Sequence, residues 1–310
     1  MSAPGSTQKM SAQTAAARLR TRLADNDDIL VCPGVYDGLT ARIMLEAGFE
    51  ALYMTGAGTT MSRLGLADLG VITLNEMTEN ASMIANIDPN VPVIADADTG
   101  FGGTLMVRRT IESYVAGGVA ALHIEDQALT KRCGHLANKE LVEEEEFLTR
   151  IRAAVLARER LQRDIVIIAR SDGLASLGYD ETVARLRNAI EAGADVAFLE
   201  GLRTNKQMRQ VCSELAPTPV LLNMVESGMT PQVDVAEAAE MGFRIIIFPG
   251  LALGPVYHAV KSAAEQLKEK GITSAPVDQG GPKKMFEVCG LRDSLQFDMA
   301  AGGSTFSKGV

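Results

Sequence analysis

Eight short apolar runs punctuate the chain, at 29–33, 51–54, 91–95, 121–124, 165–169, 196–199, 220–222 and 245–248. Each is too short for a helix and apolar enough to be a strand buried on both faces. Between them lie segments with apolar residues every three to four positions, at 39–47, 106–116, 145–160, 180–192 and 234–241, with a further one ahead of the first run at 14–23. That spacing predicts amphipathic helices. Several end at a glycine, Gly48, Gly117, Gly193 or Gly242, where a left-handed residue would close the helix. Strand, helix, glycine and strand again is the rhythm of repeated βαβ units, and eight of them close into a (β/α)8 TIM barrel of the α/β class. An open doubly wound sheet is the alternative. It would carry a glycine-rich phosphate turn after its first strand, and Gly34, Val35, Tyr36, Asp37 and Gly38 do not form one. The barrel with its leading helix is assigned to residues 1–255; residues 256–310 read as a helical tail, interrupted by Pro and Gly, that exceeds the needs of a last barrel helix.

In such a barrel the chemistry collects at the carboxyl ends of the strands. The residues there are unusually polar: Tyr53 with Thr55, Gly56, Ala57 and Gly58, then Asp96 and Asp98, Glu125, Arg170 and Asp172, Glu200, Asn223 and Glu226, and finally Pro249. The densest group follows the fourth run, where His123, Ile124, Glu125, Asp126 and Gln127 lead into Lys131, Arg132, Cys133, Gly134 and His135. A thiol, imidazoles, an ammonium and carboxylates so close in sequence predict an active-site loop.

Composition narrows the partners. A length of 310 residues is one that α/β barrels occupy as a single domain. A hydrophobic share of 46% with 22% charged residues fits a folded, loop-rich enzyme rather than a disordered chain. The net charge of -9 argues against a nucleic-acid footprint, so an anionic small molecule would be held by local groups. Cys32, Cys133, Cys212 and Cys289 are scattered, without a CxxC pair or a secretory leader, which points to a reducing compartment and no disulfide framework. No apolar run approaches the roughly 18 residues of a membrane span. A cytoplasmic location is expected. The first 24 residues contain no acid, a composition shared with mitochondrial transit peptides, although the same stretch also reads as an ordinary first helix.

Asp96 and Asp98 stand two apart on one strand face, and with Glu125 from the next strand they supply hard oxygen ligands suited to Mg²⁺ or Mn²⁺. A lone Asp would more simply cap a helix. The pair, followed by Thr99, Gly100, Phe101 and Gly102, favours a metal site. Cys133, beside Lys131, Arg132 and His135, is a candidate general acid because nearby cations balance thiol against thiolate near neutral pH. The other three cysteines read as small buried hydrophobes. Arg170 suits a bidentate clamp on a substrate carboxylate. Tyr53 is either the base for a substrate hydroxyl or an ordinary strand tyrosine, and His123 reads as a packed strand histidine. The acidic residues 143–146 form a solvated first helical turn. Glycines 100, 102, 103 and 134 would let residues 131–139 act as a lid that excludes water.

Taken together, Tyr53 to Gly58, Asp68-Leu69-Gly70, Asp96 to Gly102, His123 to Gln127, Lys131 to His135, Ile168-Ala169-Arg170 and Asn223 to Glu226 resemble the isocitrate lyase and phosphoenolpyruvate mutase superfamily over about residues 31–255. The resemblance is strongest to its short fungal-type branch, which includes 2,3-dimethylmalate lyase and oxaloacetate acetylhydrolase. It implies Mg²⁺, with Mn²⁺ as an alternative, held by Asp96, Asp98 and Glu125, with Asp68 approaching through water. It also implies a catalytic set of Cys133, Tyr53, Lys131 and Glu125. Backbone N–H groups of Thr55, Gly56 and Ala57 would meet the metal-bound carboxylate. Gly134, His135, Arg170 and Asn223 would hold the second, with Glu200 orienting His135 or Arg170. A homotetramer, a dimer of dimers with the tail helix swapped between subunits, is implied as well.

The resemblance makes the activity Mg²⁺-dependent carbon–carbon cleavage of a branched 2-hydroxydicarboxylate, 2,3-dimethylmalate to pyruvate and propionate. Oxaloacetate acetylhydrolase, which gives oxalate and acetate, is the first alternative. In that hydrolase the resemblance implies a serine where this chain has Pro249, and a proline ring suits a methyl group better than a hydrated carbonyl. Gly250 and Ser171 depart from the bulkier residue and the threonine expected at their positions. 2-Methylisocitrate lyase would need a further cation for its third carboxylate. Phosphoenolpyruvate mutase has no need of the acid loop. An idle barrel that only binds would show erosion of the metal or acid set, and none is seen.

Overall fold

The computed structural model describes residues 13–24, 28–134, 136, 138–273 and 281–306. Its strands are β1 (Leu30–Val35), β2 (Leu52–Met54), β3 (Val93–Asp96), β4 (Ala121–Glu125), β5 (Val166–Ser171), β6 (Val196–Leu199), β7 (Val220–Asn223) and β8 (Ile245–Phe248). Neighbours pair in parallel and β8 returns to β1, closing the barrel. Helix α1 (Ala15–Ala24) precedes β1 and α2 (Gly38–Glu46) follows it. Both α3 (Gly56–Leu64) and α4 (Leu74–Ala85) follow β2. Strands β3 to β7 are followed in turn by α5 (Thr104–Ala116), α6 (Glu144–Leu161), α7 (Tyr179–Glu191), α8 (Asn205–Leu215) and α9 (Val235–Met241). Then α10 (Leu253–Lys270) leads to α11 (Gly281–Val288) and α12 (Leu291–Ala300). Among the described residues, no helix is long and apolar enough to cross a membrane.

All eight apolar runs are strands, shifted at most by a few residues. The strand period of two decides what faces where. Leu30, Cys32, Tyr53, Ile94, Ala121, Val166, Ile168, Val196, Phe198, Leu221, Ile245 and Ile247 fill the barrel interior. Their neighbours, including Leu52, Val93, Ala95, Leu122, Ile124, Ile167, Ala169, Leu222 and Ile246, pack under the helices. Carried further, the inward series delivers Asp96, His123, Glu125, Arg170 and Asn223 to the inner face at the carboxyl end. Barrel closure leaves no space beside Gly34, where a Cβ would lie 2.5 Å from the Pro249 carbonyl oxygen.

The opposite end is plugged by α1. Leu19 is fully buried and belongs to the interior cluster. Arg20 forks onto Asp164 at 2.7 and 2.9 Å and reaches Asp195 at 3.0 Å. Residues 143–146 do open α6, with Glu143 as its N-cap and Glu146 paired to Arg150. Gly48, Gly193 and Gly242 have φ of 87°, 107° and 101° as expected, but Gly117 does not: its φ is -75° and the next residue, Gly118, takes the left-handed conformation at 86°. At the α5 end only Gly118 needs glycine for its backbone conformation; at Gly117 the constraint is space, since a Cβ would lie 3.1 Å from the Ser82 Cβ. Position 255 lies in the first turn of α10, so the last barrel helix and the tail are continuous. No residue of α10, α11 or α12 is buried. Residues 274–280, part of the Pro- and Gly-interrupted tail, lie outside the described residues.

Candidate active site

Asp96 ends β3, and its two oxygens are fixed from different directions. Oδ1 accepts from the Asp98 N–H at 2.8 Å and Oδ2 from the Gly56 N–H at 3.2 Å. Gly56 opens α3, capped by Thr55, so the carboxylate faces a helix N-terminus with its unpaired N–H groups. A side chain at 56 would put a Cβ 2.4 Å from Asp96 Oδ2, which is why the helix can begin against the aspartate only at glycine. Asp98 turns back through φ 46°, a conformation that a short polar side chain tolerates.

Lys131 Nζ lies 2.7 Å from Asp68 Oδ1 and 2.5 Å from Asp98 Oδ1, buried with both. Beyond Lys131 neither oxygen has a hydrogen-bond partner, and Glu125 Oε2 has none. Burial by itself would lower the Lys131 pKa, but Asp98, Glu125, Asp96 and Asp68 together hold it well above the ordinary lysine value. Lys131 is therefore a fixed cation and not a base. Burial raises Asp98 to about 7 against the pull of Lys131, and raises Glu125 well above the carboxylate range against Arg170. Among the described residues, no three acidic, histidine or cysteine side chains stand together at ion-holding spacing. Asp68, Asp98 and Glu125 each present a buried carboxylate oxygen, now facing Lys131 or Arg170, and oxygens of that kind suit a hard divalent cation.

Arg170 is opposite Glu125 in the β4–β5 register. Its Nε and Nη2 donate to Asp172 at 2.9 and 3.1 Å, Nε passes 3.3 Å from Glu125 Oε2, and Nη2 passes 3.6 Å from Glu200 Oε2. The guanidinium lies over the Phe198 ring, 5.1 Å from its centre. Asn223 donates to Glu200 at 2.9 Å. Glu200 thus steadies Arg170 and Asn223; His135, its other expected partner, lies outside the described residues.

A cavity of about 50 Å³ joins these groups. It is lined by Tyr53, Thr55, Ala57, Asp68, Asp96, Lys131, Cys133, Gly134, Arg170, Glu200, Asn223, Val225 and Pro249. Asp98 and Glu125 adjoin it through Lys131 and Arg170. Cys133 is half-buried, and its N–H donates to the Asp68 carbonyl at 3.3 Å. Cys32 and Cys212 are buried; desolvation raises the Cys212 thiol to about 12. Cys289 is exposed rather than buried, contrary to the expectation, because α11 and α12 bury none of their side chains.

Tyr53 is buried, its hydroxyl 2.8 Å from His123 Nε2 and its ring stacked on the imidazole. Burial pushes the phenol well above 10 and His123 down to about 4. His123 is the packed strand residue its pattern suggests, with a partner the pattern did not reveal. Also unassigned in the sequence were Lys139, whose Nζ donates at 2.7 Å to both the Gly134 carbonyl and Asp172, and Gln127, which donates to Glu125 at 2.9 Å. The spacing Glu125/Gln127 and Arg170/Asp172, two residues apart on one strand face, was the available signal.

The phosphoenolpyruvate phosphomutase family model matches residues 19–268. The crystal structure of 2,3-dimethylmalate lyase, a PEP mutase/isocitrate lyase superfamily member, is 58% identical, covers 96% of this chain and 98% of its own, and superposes with a TM-score of 0.93. Oxaloacetate acetylhydrolase in complex with 3,3-difluorooxalacetate is 52% identical, with coverage of 94% and 99% and a TM-score of 0.92. 2-Methylisocitrate lyase of Bacillus subtilis is 40% identical over 291 residues, 94% of each chain. Phosphonopyruvate hydrolase, at 28% identity, TM-score 0.80 and coverage of 92% and 98%, has been solved with oxalate and Mg²⁺.

Proposed function

The chain belongs to the phosphoenolpyruvate mutase/isocitrate lyase superfamily, and from that premise we propose that it is an Mg²⁺-dependent carbon–carbon lyase that splits 2,3-dimethylmalate into pyruvate and propionate. The observation that carries this reading is a single cavity lined by a carboxylate cluster, the Arg170 clamp, the Cys133 thiol and the apolar wall of Pro249. Asp96, Asp98 and Glu125, with Asp68 through water, would hold the cation. When bound, the metal would chelate the substrate's hydroxyl and adjacent carboxylate and make that hydroxyl more acidic.

The residues divide the remaining work. Arg170 takes the far carboxylate through its guanidinium edge, and Asn223 and the backbone at Gly134 complete that end. Tyr53 is too strongly buried to stand as a phenolate. Its neutral hydroxyl, held by His123 at 2.8 Å, positions the substrate hydroxyl, whose proton leaves to solvent. The C2–C3 electron pair then moves onto C3 as the C2 carbonyl forms. Cys133 gives its proton to C3, completing propionate, and regains one from solvent after product leaves. Lys131, Cys133 and Gly134 line the cavity, so movement of their segment would open and close the space that substrate occupies. That supports residues 131–139 as a lid.

Pro249 presents no hydroxyl to the cavity, which favours a methyl-bearing substrate over hydrated oxaloacetate. Lys131 and Arg170 are the only cations among the described lining residues, and Lys131 is already committed to two aspartates, which disfavours a tricarboxylate. The exposed apolar residues of α10 to α12, including Val260 at 63% and Phe297 at 75%, support a tail covered by another subunit in a helix-swapped tetramer. Parallel assays with 2,3-dimethylmalate, oxaloacetate and 2-methylisocitrate, after chelation and Mg²⁺ add-back, test the assignment. Dimethylmalate should give the highest kcat/KM and depend on the ion. Cys133→Ser should lower kcat by about 10²- to 10⁴-fold while retaining substrate binding. Faster turnover of oxaloacetate would overturn the choice of substrate.

A further inference from the structure

We propose that Lys139 is a positioning residue that fixes the Cys133–Gly134 backbone against the Arg170 clamp, thereby setting where the proton-donating thiol meets the substrate. This rests on the roles given above to Cys133 and Arg170. The Lys139 side chain is 7% exposed, and its ammonium spans two elements: it donates to the Gly134 carbonyl and to Asp172 Oδ1, at 2.7 Å each. Asp172 is fully buried and already receives both Nε and Nη2 of Arg170. Because Arg170 also faces Glu125 and Glu200, Lys139 shares with it the neutralisation of Asp172. What it adds beyond this is a charge-assisted tie between that ion pair and the residue next to Cys133.

The fit around Gly134 explains why such a tie matters. A Cβ there would approach Arg170 Nη2 to 2.5 Å and the Glu200 side chain to 3.0 Å, so the peptide rests directly on the clamp. The same stretch is held by the Cys133 N–H on the Asp68 carbonyl, the Leu136 N–H on the Cys133 carbonyl and two bonds between Gln127 and the Arg132 backbone, and Lys139 adds the tie at Gly134, the side that faces the clamp. Small displacements of a catalytic group lower turnover more than they weaken binding.

Lys139→Met and Lys139→Arg, each in the full chain, test the proposal by two separate readouts. The first is the rate at which iodoacetamide alkylates Cys133, read by peptide mass spectrometry with Cys289 as an internal reference; it needs no substrate. The second is the split between kcat and KM with 2,3-dimethylmalate. Lys139→Met should alkylate Cys133 at least about fivefold faster with Cys289 unchanged, and lower kcat by about 10- to 100-fold with a smaller change in KM. Lys139→Arg, which keeps the charge and donors, should recover most of both. Wild-type alkylation in Lys139→Met would overturn the proposal, as would equal acceleration at Cys289 or no recovery in Lys139→Arg. If the wild-type protein did not cleave dimethylmalate, the substrate assignment would fail while the alkylation comparison would still decide the role of Lys139.

Discussion

Arg170 shows how much one side chain can be asked to do when it ends a barrel strand. Its fork on Asp172 fixes the guanidinium plane, Phe198 supports one face, and Glu125 and Glu200 flank its nitrogens. A lysine would keep the charge but lose the planar fork. Arg170→Lys is expected to lose about 1.5–3 kcal/mol of charge-assisted hydrogen bonding, seen as a roughly 10- to 100-fold fall in kcat/KM, mostly through KM. A KM unchanged from wild type would argue that Arg170 does not hold substrate. Arg170, Cys133, Asp96 and Asp98 were legible in the sequence because each sits just beyond an apolar run, within a motif whose residue types match one chemistry. Lys139 was not, because its role depends on the chain folding back over Asp172, 33 residues further on.

Helix α1 carries the corresponding lesson for an element. Its period was readable, but not that Leu19 enters the barrel floor while Arg20 reaches Asp164 and Asp195 beside it. Leu19→Ala should destabilise the protein by about 2–5 kcal/mol, measured by denaturant unfolding, with little effect on KM because the active site lies at the other end. The Arg20 hydrogen bond holds Asp164 below the usual carboxylate value. Its contribution is therefore present above the unfolded Asp pKa of about 3.9 and is lost as pH falls through the lower folded value. The melting-temperature difference between wild type and Arg20→Ala should shrink between about pH 5 and pH 2. A difference constant across that range would exclude the ion pair as its source. At α5 the sequence pointed to Gly117 as the left-handed cap, whereas Gly118 takes that conformation, since two adjacent glycines leave local propensity indifferent and the entry into β4 decides.

For the whole molecule, a barrel whose eighth helix and tail bury none of their side chains within the chain should assemble with further copies. Sedimentation of the full chain is expected to give a tetramer, and a chain ending at Lys270 should give smaller species or aggregate. A monomeric full chain would refute the swapped tail. The eightfold alternation, the inward face of each strand and the identity of the chemical groups were determined by the sequence, because strand period and residue chemistry are local properties. Which groups meet was decided only by the tertiary structure. Lys131 between Asp68 and Asp98, Tyr53 on His123, and Lys139 between Gly134 and Asp172 are contacts between distant segments. Barrel closure and the return of loops over its rim set those distances, and no periodicity along a single chain encodes them.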